Sequence, residues 1–316
     1  MTRSPQFIGA ACASASVIFF SINDVLIKFL SGGYALHQVV LLRSLIGLLV
    51  IAVLILPFSG GLTALRTKRL GMHIFRGLCV VTANMTFFLG LAAMELATAV
   101  AIFFVSPLVI TVFSVVFLGE TVGPRRWIAI VVGFVGVLII LRPGTDAFQF
   151  ASLLPLIAAV AYAGIHMITR KIGGTESAAT MAVYIQLVFI TVCAVIGLAV
   201  GDGRFGDQSD PSLQFLLRAW SWPDAGDYWV FALLGFGVGI AGFLISQAYR
   251  VAEAAFVAPF EYLAMPLAIL WGYVVFSEVP DRLTFVGAGL IIGGGLFTLW
   301  REARVADVAA APRTRR

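Results

Sequence analysis

Ten mostly apolar stretches follow one another along nearly the whole chain, each close to the length that crosses a lipid bilayer. A helix spanning the hydrocarbon core needs about 20 such residues. By that ruler the spans fall near 7–30, 35–57, 71–94, 97–118, 125–141, 150–170, 179–200, 228–248, 254–276 and 283–300. Backbone polar groups find no water in lipid, so only helices and closed barrels are admissible there. Barrel-type alternation is absent, and the sequence predicts an all-α integral membrane protein of ten transmembrane helices. Composition agrees, since 60% of the 316 residues are hydrophobic, 12% are charged, and mean hydropathy is +1.02. Soluble domains carry about 25% charged residues. Too few charges remain here to coat a water-facing surface. That excludes a soluble enzyme, a secreted disulfide scaffold, a disordered chain and a nucleic-acid-binding module. The lipid bilayer is a partner and nucleic acid is not, despite a net charge of +5. Cys12, Cys79 and Cys193 sit inside apolar segments, as small hydrophobes rather than disulfide or metal ligands. No cleavable signal peptide is expected, because the first apolar run already holds Asp24 and Lys28.

Basic residues in the connections set the orientation. With the N-terminus cytoplasmic, fourteen of the 21 Lys and Arg fall on the inner side and four on the outer, namely Arg142, Arg204, Arg218 and Arg282. Lys28, Arg43 and Arg76 lie within spans. Both termini are therefore expected in the cytoplasm. The long acidic connection 201–227 is expected outside, with Trp220 and Trp222 as candidates for an interfacial aromatic belt. Residues 303–316 read as a disordered cytoplasmic tail.

The chain repeats itself weakly. A shift of 158 lays Ala97 on Ala255, Glu120 on Glu278, Gly136 on Gly294 and Leu141 on Leu299, with Pro107 and Pro266 one residue out of step. A shift of 143 lays Lys28 on Lys171 and Arg43 on Gln186. Five helices is an odd number, so a second copy starts from the opposite membrane face. The expectation is two inverted five-helix repeats, 1–145 and 146–302, an arrangement typical of alternating-access transporters with a midplane site.

Ala97–Gly144, with Pro107, the Gly119-Glu120 turn, Gly133 and Gly136, resembles the EamA repeat of the drug/metabolite transporter superfamily. So does Ala252–Glu302, through Pro259-Phe260-Glu261-Tyr262, Pro266, Ser277-Glu278-Val279-Pro280 and Gly287-Ala288-Gly289. The resemblance implies a ten-helix solute carrier, or permease, of a bacterial inner membrane. Phe20–Leu42 and 256–302 look most similar to members labelled as S-adenosylmethionine uptake carriers.

Charges inside the membrane are costly unless paired or facing water. Asp24 and Lys28, four apart on the first helix, share a face. Asp24 lies about 9 Å from the outer end of its helix and Arg43 about 12 Å from the start of the next, so an Asp24–Arg43 ion pair in a central cavity is expected, structural or functional. Arg76 is expected to snorkel to the headgroups with His73. Glu261, between Pro259 and Pro266, is expected to line a cavity, since broken backbone inside a membrane borders water or protein; Tyr262 beside it either hydrogen-bonds or packs. Tyr162 and His166, also four apart, form a polar stripe. Gln186 stands at the repeat counterpart of Arg43. Ser246 and Gln247 are weaker candidates of the same kind. Glu120 and Glu278 read as local caps at helix ends. Gly237-Val238-Gly239-Ile240-Ala241-Gly242 spells a dinucleotide fingerprint, but it lies mid-span without the strand that motif requires. Gly235 and Gly239 instead make a small-xxx-small packing pair.

Together these residues predict a secondary transporter that moves a small polar organic solute. Its candidate binding residues are Asp24, Lys28, Arg43, Tyr162, His166, Gln186, Glu261 and Tyr262. No catalytic, cofactor or metal set is recognised. Two membrane cations against one carboxylate favour an anionic or zwitterionic solute. Glu261 is the candidate for proton coupling, and the carrier is expected as a monomer or homodimer. The rival readings are a membrane enzyme using Asp24, His166 and Glu261 on a lipid-soluble substrate, and a channel.

Overall fold

The computed structural model describes residues 5–59, 61, 65–119, 123–145, 149–172, 176–252 and 257–310. Within these, positions such as 118, 166, 246 and 298–310 are described by backbone alone. All regular structure among the described residues is helical. The main elements are α1 (Pro5–Leu30), α2 (Leu36–Val50), α3 (Leu70–Ala93), α4 (Leu96–Phe103), α5 (Ser106–Leu118), α6 (Pro124–Leu141), α7 (Leu153–Ile172), α8 (Ala178–Val200), α9 (Pro211–Leu217), α10 (Tyr228–Val251), α11 (Ala264–Phe276) and α12 (Arg282–Ala310). Every expected span contains helix. Among the described residues, 7 helices are by themselves long and apolar enough to cross a membrane, while Trp127–Leu141, Phe260–Phe276 and Arg282–Phe297 are shorter apolar helices. α12 runs on to Ala310, so the segment expected as a tail begins as helix; residues 311–316 lie outside the described part.

Two long apolar stretches are broken, and the sequence shows why. The stretch 96–118 divides at Phe104 and Val105, and Pro107 follows in the first turn of α5. Proline donates no backbone hydrogen bond and crowds the preceding turn. The stretch 258–276 divides at Leu263, where a 3-10 turn, Ala258–Leu263, gives way to α11 and its Pro266. A shift of 158 superposes these breaks, and it also superposes the left-handed C-caps Gly119 (φ 67) and Ser277 (φ 56). α2 also widens, into a π turn over Ile51–Ile55 and a 3-10 turn over Leu56–Ser59.

α1 packs along α10, α6 along α12 and α3 along α7, so each of these interfaces joins the first part of the chain to the second. Glycines let the backbones meet. A Cβ on Gly136 would stand 2.6 Å from the Gly287 carbonyl, and one on Gly287 would stand 2.6 Å from the Gly136 carbonyl. The small-xxx-small reading of α10 also holds, because Gly235 faces Ile46 and Gly239 faces Val50 of α2.

Connections 31–35, 94–95, 142–145 with 149–152, 201–227 and 277–281 gather on one face. The longest of them is a folded cap. Asp210 accepts from the Leu213 N–H at 3.0 Å to start α9, Pro211 fills its first turn, and Phe215 is buried. Tyr34 donates to Asp227 Oδ2 at 2.6 Å and accepts from the Asp224 N–H at 3.0 Å. Arg218 donates to the Ser31 carbonyl at 2.8 Å, and Gln38 donates to the Ser221 carbonyl. Trp220, expected at an aromatic belt, instead stacks on buried His37 with ring centroids 5.8 Å apart. Trp222 is exposed and donates to the Tyr228 hydroxyl at 2.9 Å.

Candidate functional site

At the same end of the bundle as the cap, a cavity of about 550 Å³ opens between the two parts of the chain. Lys28, Glu95, Thr98, Arg142, Glu278 and Asp281 line it. Both signs of charge face it, and two ion pairs close over it. Lys28 lies at the end of α1 and reaches Glu278 Oε1 at 2.5 Å while donating to the Met94 carbonyl at 2.7 Å. Its ammonium also sits 5.0 Å from the Phe276 ring centroid. The other Glu278 oxygen accepts from the Leu96 N–H at 2.9 Å, capping α4, a helix far away in sequence. Glu278 was expected to cap or pair locally. It bridges three elements because the left-handed Ser277 turns it back over the bundle. Arg142 pairs with Asp281, which also accepts from the Thr284 N–H at the start of α12. These bonds hold the Asp281 carboxyl at about 2, below the usual aspartate range, with Thr284 the larger cause and Arg142 the next. Glu120, the repeat counterpart of Glu278, lies outside the described residues.

One helical turn from Lys28 along α1 lies a second polar cluster. Asp24 and Arg43 do not pair directly; Asn23 stands between them. Arg43 donates to Asn23 Oδ1 at 3.2 Å and to Asn84 Oδ1 at 3.4 Å, and Asn23 Nδ2 donates to Asp24 Oδ1 at 3.1 Å. The Arg43 guanidinium lies 5.7 Å from the Phe88 ring and 5.2 Å from the Phe189 ring. A planar, weakly hydrated cation is stabilised between such faces. Asn23 and Asn84 are not among the sequence candidates: Gln186 is singled out by its place opposite Arg43 in the repeat, and these two asparagines have no such marker. Their positions within apolar helices were the available signal.

A run of aromatic contacts continues from there. Phe87 meets Phe88 and Phe103, Phe103 meets Tyr162, and Phe104 meets Tyr262, at centroid distances of 5.1–5.6 Å. Tyr162 and Glu261 lie within electrostatic range of each other, as do Tyr262 and Glu261. Glu261 is half-buried on the 3-10 turn and carries contacts of its own. The Tyr262 hydroxyl is buried without a hydrogen-bond partner among the described residues, tucked against Gly295 of α12.

The remaining expected residues go elsewhere. Gln186 is buried against Gly47 of α2, in a packing interface. The side chains of His166 and Ser246 lie outside the described residues. Arg76 does not snorkel but donates to Thr169 Oγ1 at 2.8 Å, joining α3 to α7. His73 is buried, stacked on Tyr184 at 4.7 Å and 3.2 Å from Glu176 Oε2. Thr67 donates to the other oxygen of Glu176, tying the α2–α3 connection to the segment before α8. Of the cations within the spans, Lys28 is paired with a carboxylate, while Arg43 and Arg76 are held by neutral partners, two asparagines and a threonine.

A solved crystal structure with 19% sequence identity shares this fold over 94% of this chain and 98% of its own, with a TM-score of 0.63. Residues 7–142 match the model of the EamA-like transporter family. A riboflavin transporter of Vibrio cholerae is 33% identical over 259 residues, covering 80% of each chain. A riboflavin transporter of Rhizobium johnstonii is 32% identical over 251 residues, covering 79% of this chain and 77% of its own. An S-adenosylmethionine uptake transporter of Rickettsia bellii is 28% identical over 299 residues, covering 94% of this chain and 95% of its own. Apolar helices, a two-signed cavity between the two parts of the chain and these relatives converge on one conclusion: the chain belongs to the EamA-like transporter family, within the drug/metabolite transporters.

Proposed function

We propose that this protein carries a small polar organic metabolite across the bacterial inner membrane by alternating access. In this reading ten helices cross the membrane in two inverted halves, with both termini cytoplasmic and the cap outside. The superposed helix breaks and left-handed caps support the repeat, and the fourteen-to-four distribution of basic residues supports the orientation. The single observation that carries the reading is the 550 Å³ cavity between the halves, clasped on the cap face by Lys28–Glu278 and Arg142–Asp281. Ion pairs across a boundary between halves are bistable contacts: they close one access route and release it when the halves rock apart. Asp24, the Arg43 cluster, Tyr162, Glu261 and Tyr262 then form the transport site beneath.

Of the two charge classes expected from the sequence, the two-signed lining of the cavity favours a zwitterion over a simple anion. Lys28 and Arg43 are both engaged, and the cavity offers Glu95, Glu278 and Asp281 beside Lys28 and Arg142. A solute bearing both signs, or a polar solute of little net charge, meets this lining without a stranded charge. Purified protein in proteoliposomes loaded with riboflavin or S-adenosylmethionine tests this. Exchange of external radiolabelled solute with the internal pool is expected, abolished by detergent permeabilisation. Uptake of simple anions alone would overturn the charge reading. Product formation without a sealed compartment would overturn the carrier reading.

A further inference from the structure

Arginine has no hydrogen-bond acceptor, so it decides which end of each neighbouring amide faces it. Arg43 takes the oxygens of both Asn23 and Asn84. The Asn23 NH2 group therefore points away, and it meets Asp24 Oδ1 at 3.1 Å. The Asn84 NH2 group also points away, and no described protein group accepts from it. The second oxygen of Asp24 has no protein donor among the described residues either. Both side chains are only partly buried. Arg43 itself is 2% exposed and lodged between Phe88 and Phe189, so its charge is withheld from the solute. What the cluster leaves open is one acceptor on α1 and one donor on α3, the donor's amide held by the guanidinium directly and the acceptor through Asn23.

We infer that Asp24 Oδ2 and Asn84 Nδ2 read the hydrogen-bonding edge of a planar nitrogen heterocycle, with Arg43 as the positioning residue. The complementary edge places an N–H beside a carbonyl oxygen or a ring nitrogen, as in a cyclic imide or an aminopurine. The N–H donates to Asp24, and the neighbouring acceptor receives from Asn84. Phe87, three residues from Asn84 on α3, meets Phe103 edge-on and Phe103 meets Tyr162, and the inference places the ring beside this aromatic run. Buried polar groups of this kind discriminate strongly, because a solute lacking the matching atom leaves them unpaired. The inference rests on the carrier reading above and names the feature of the solute that the site selects.

The test modifies the ligand first, so that it stands without any variant. Binding of riboflavin to the native protein is compared with that of riboflavin methylated on its imide nitrogen, and adenosine with its N6-dimethyl derivative, by thermal shift and by competition in the proteoliposome exchange. Each methylation removes the N–H donor, and affinity is expected to fall about tenfold or more, the equivalent of one good hydrogen bond. In Asp24→Asn and Asn84→Ala the parent compounds are expected to weaken by a similar factor while the methylated ones hold, so the discrimination ratio collapses. Arg43→Lys is expected to lose the same ratio, since an ammonium on a flexible stem lacks the planar fork that holds the two amide oxygens in fixed directions; a purely structural role would lower yield and leave the ratio intact. Parent and methylated compounds binding alike, or no heterocycle binding while other metabolites exchange, would overturn this inference and leave the carrier intact. Failure of every metabolite to exchange across a sealed bilayer would overturn the carrier reading instead.

Discussion

Replacing Glu278 by Gln keeps the size of the side chain and an oxygen for the Leu96 N–H, and it removes only the charge that faces Lys28. The side chains of this pair are 10% and 22% exposed, so it lies between an open surface pair, worth at most about 1 kcal/mol, and a fully buried one, whose breakage costs about 3–5 kcal/mol. At 2.5 Å the gross attraction is about 7 kcal/mol with an effective dielectric constant of 20. Desolvation of both groups offsets most of it, and a charge-assisted hydrogen bond nets about 1.5–3 kcal/mol. Glu278→Gln and Lys28→Met are each expected to destabilise the protein in detergent by about that amount. The double variant should recover a coupling of similar size, because neither charge is left stranded. The assay is a double-mutant cycle from denaturant or thermal unfolding. A second measurement reports the clasp itself: with Thr98→Cys in the cavity wall, an impermeant maleimide should react faster once Glu278 is Gln. Losses that add within about 0.5 kcal/mol, with no change in labelling rate, would refute a clasp between Lys28 and Glu278.

Four further outcomes follow from the same geometry. Gly136→Val forces a side chain against the Gly287 carbonyl and should cost about 1–3 kcal/mol in stability, whereas Gly289→Ala, with open space around it, should be neutral or slightly stabilising in the same unfolding assay. The Arg142–Asp281 clasp has its stabilising effect above the ordinary aspartate pKa of about 3.9 and loses it as pH falls toward about 2; unfolding of the native protein, but not of Asp281→Asn, should therefore ease across that window. Glu261→Gln should flatten the pH profile of exchange in proteoliposomes, and an unchanged rate and profile would remove Glu261 as the proton-coupling group. Single cysteines at Ser209 and Ala311 should react with an impermeant reagent from outside intact cells at 209 only, and the reverse result would invert the orientation.

Much of the fold was legible in the chain. Ten apolar stretches became helix, Pro107 and Pro266 marked the interrupted ones, and Gly235 and Gly239 marked a close helix contact. Asp24 and Arg43 were found as members of one cluster. Their relation was read wrongly because a pairing argument from depth counts only charged groups, and Asn23 lies between them. The folded cap over 201–227 was read as a plain acidic connection. Its order comes from Tyr34, Gln38 and Arg218 bonding across the bundle, which no local pattern records.

The sequence by itself determined the solvent of this protein and the class of its elements. Those follow from transfer free energies and backbone satisfaction, which each segment of about 20 residues reports on its own. Only the tertiary structure decided the partner of each membrane charge. Lys28 belongs to Glu278, 250 residues away, and Arg43 belongs to two amides and two phenyl rings rather than to a carboxylate. A charge in lipid demands compensation, but the demand is met by whichever group the helix register brings within about 3 Å. Glycine contacts help to set that register, and one of them, Gly235 against Ile46 and the Arg43 carbonyl, lies beside a charge.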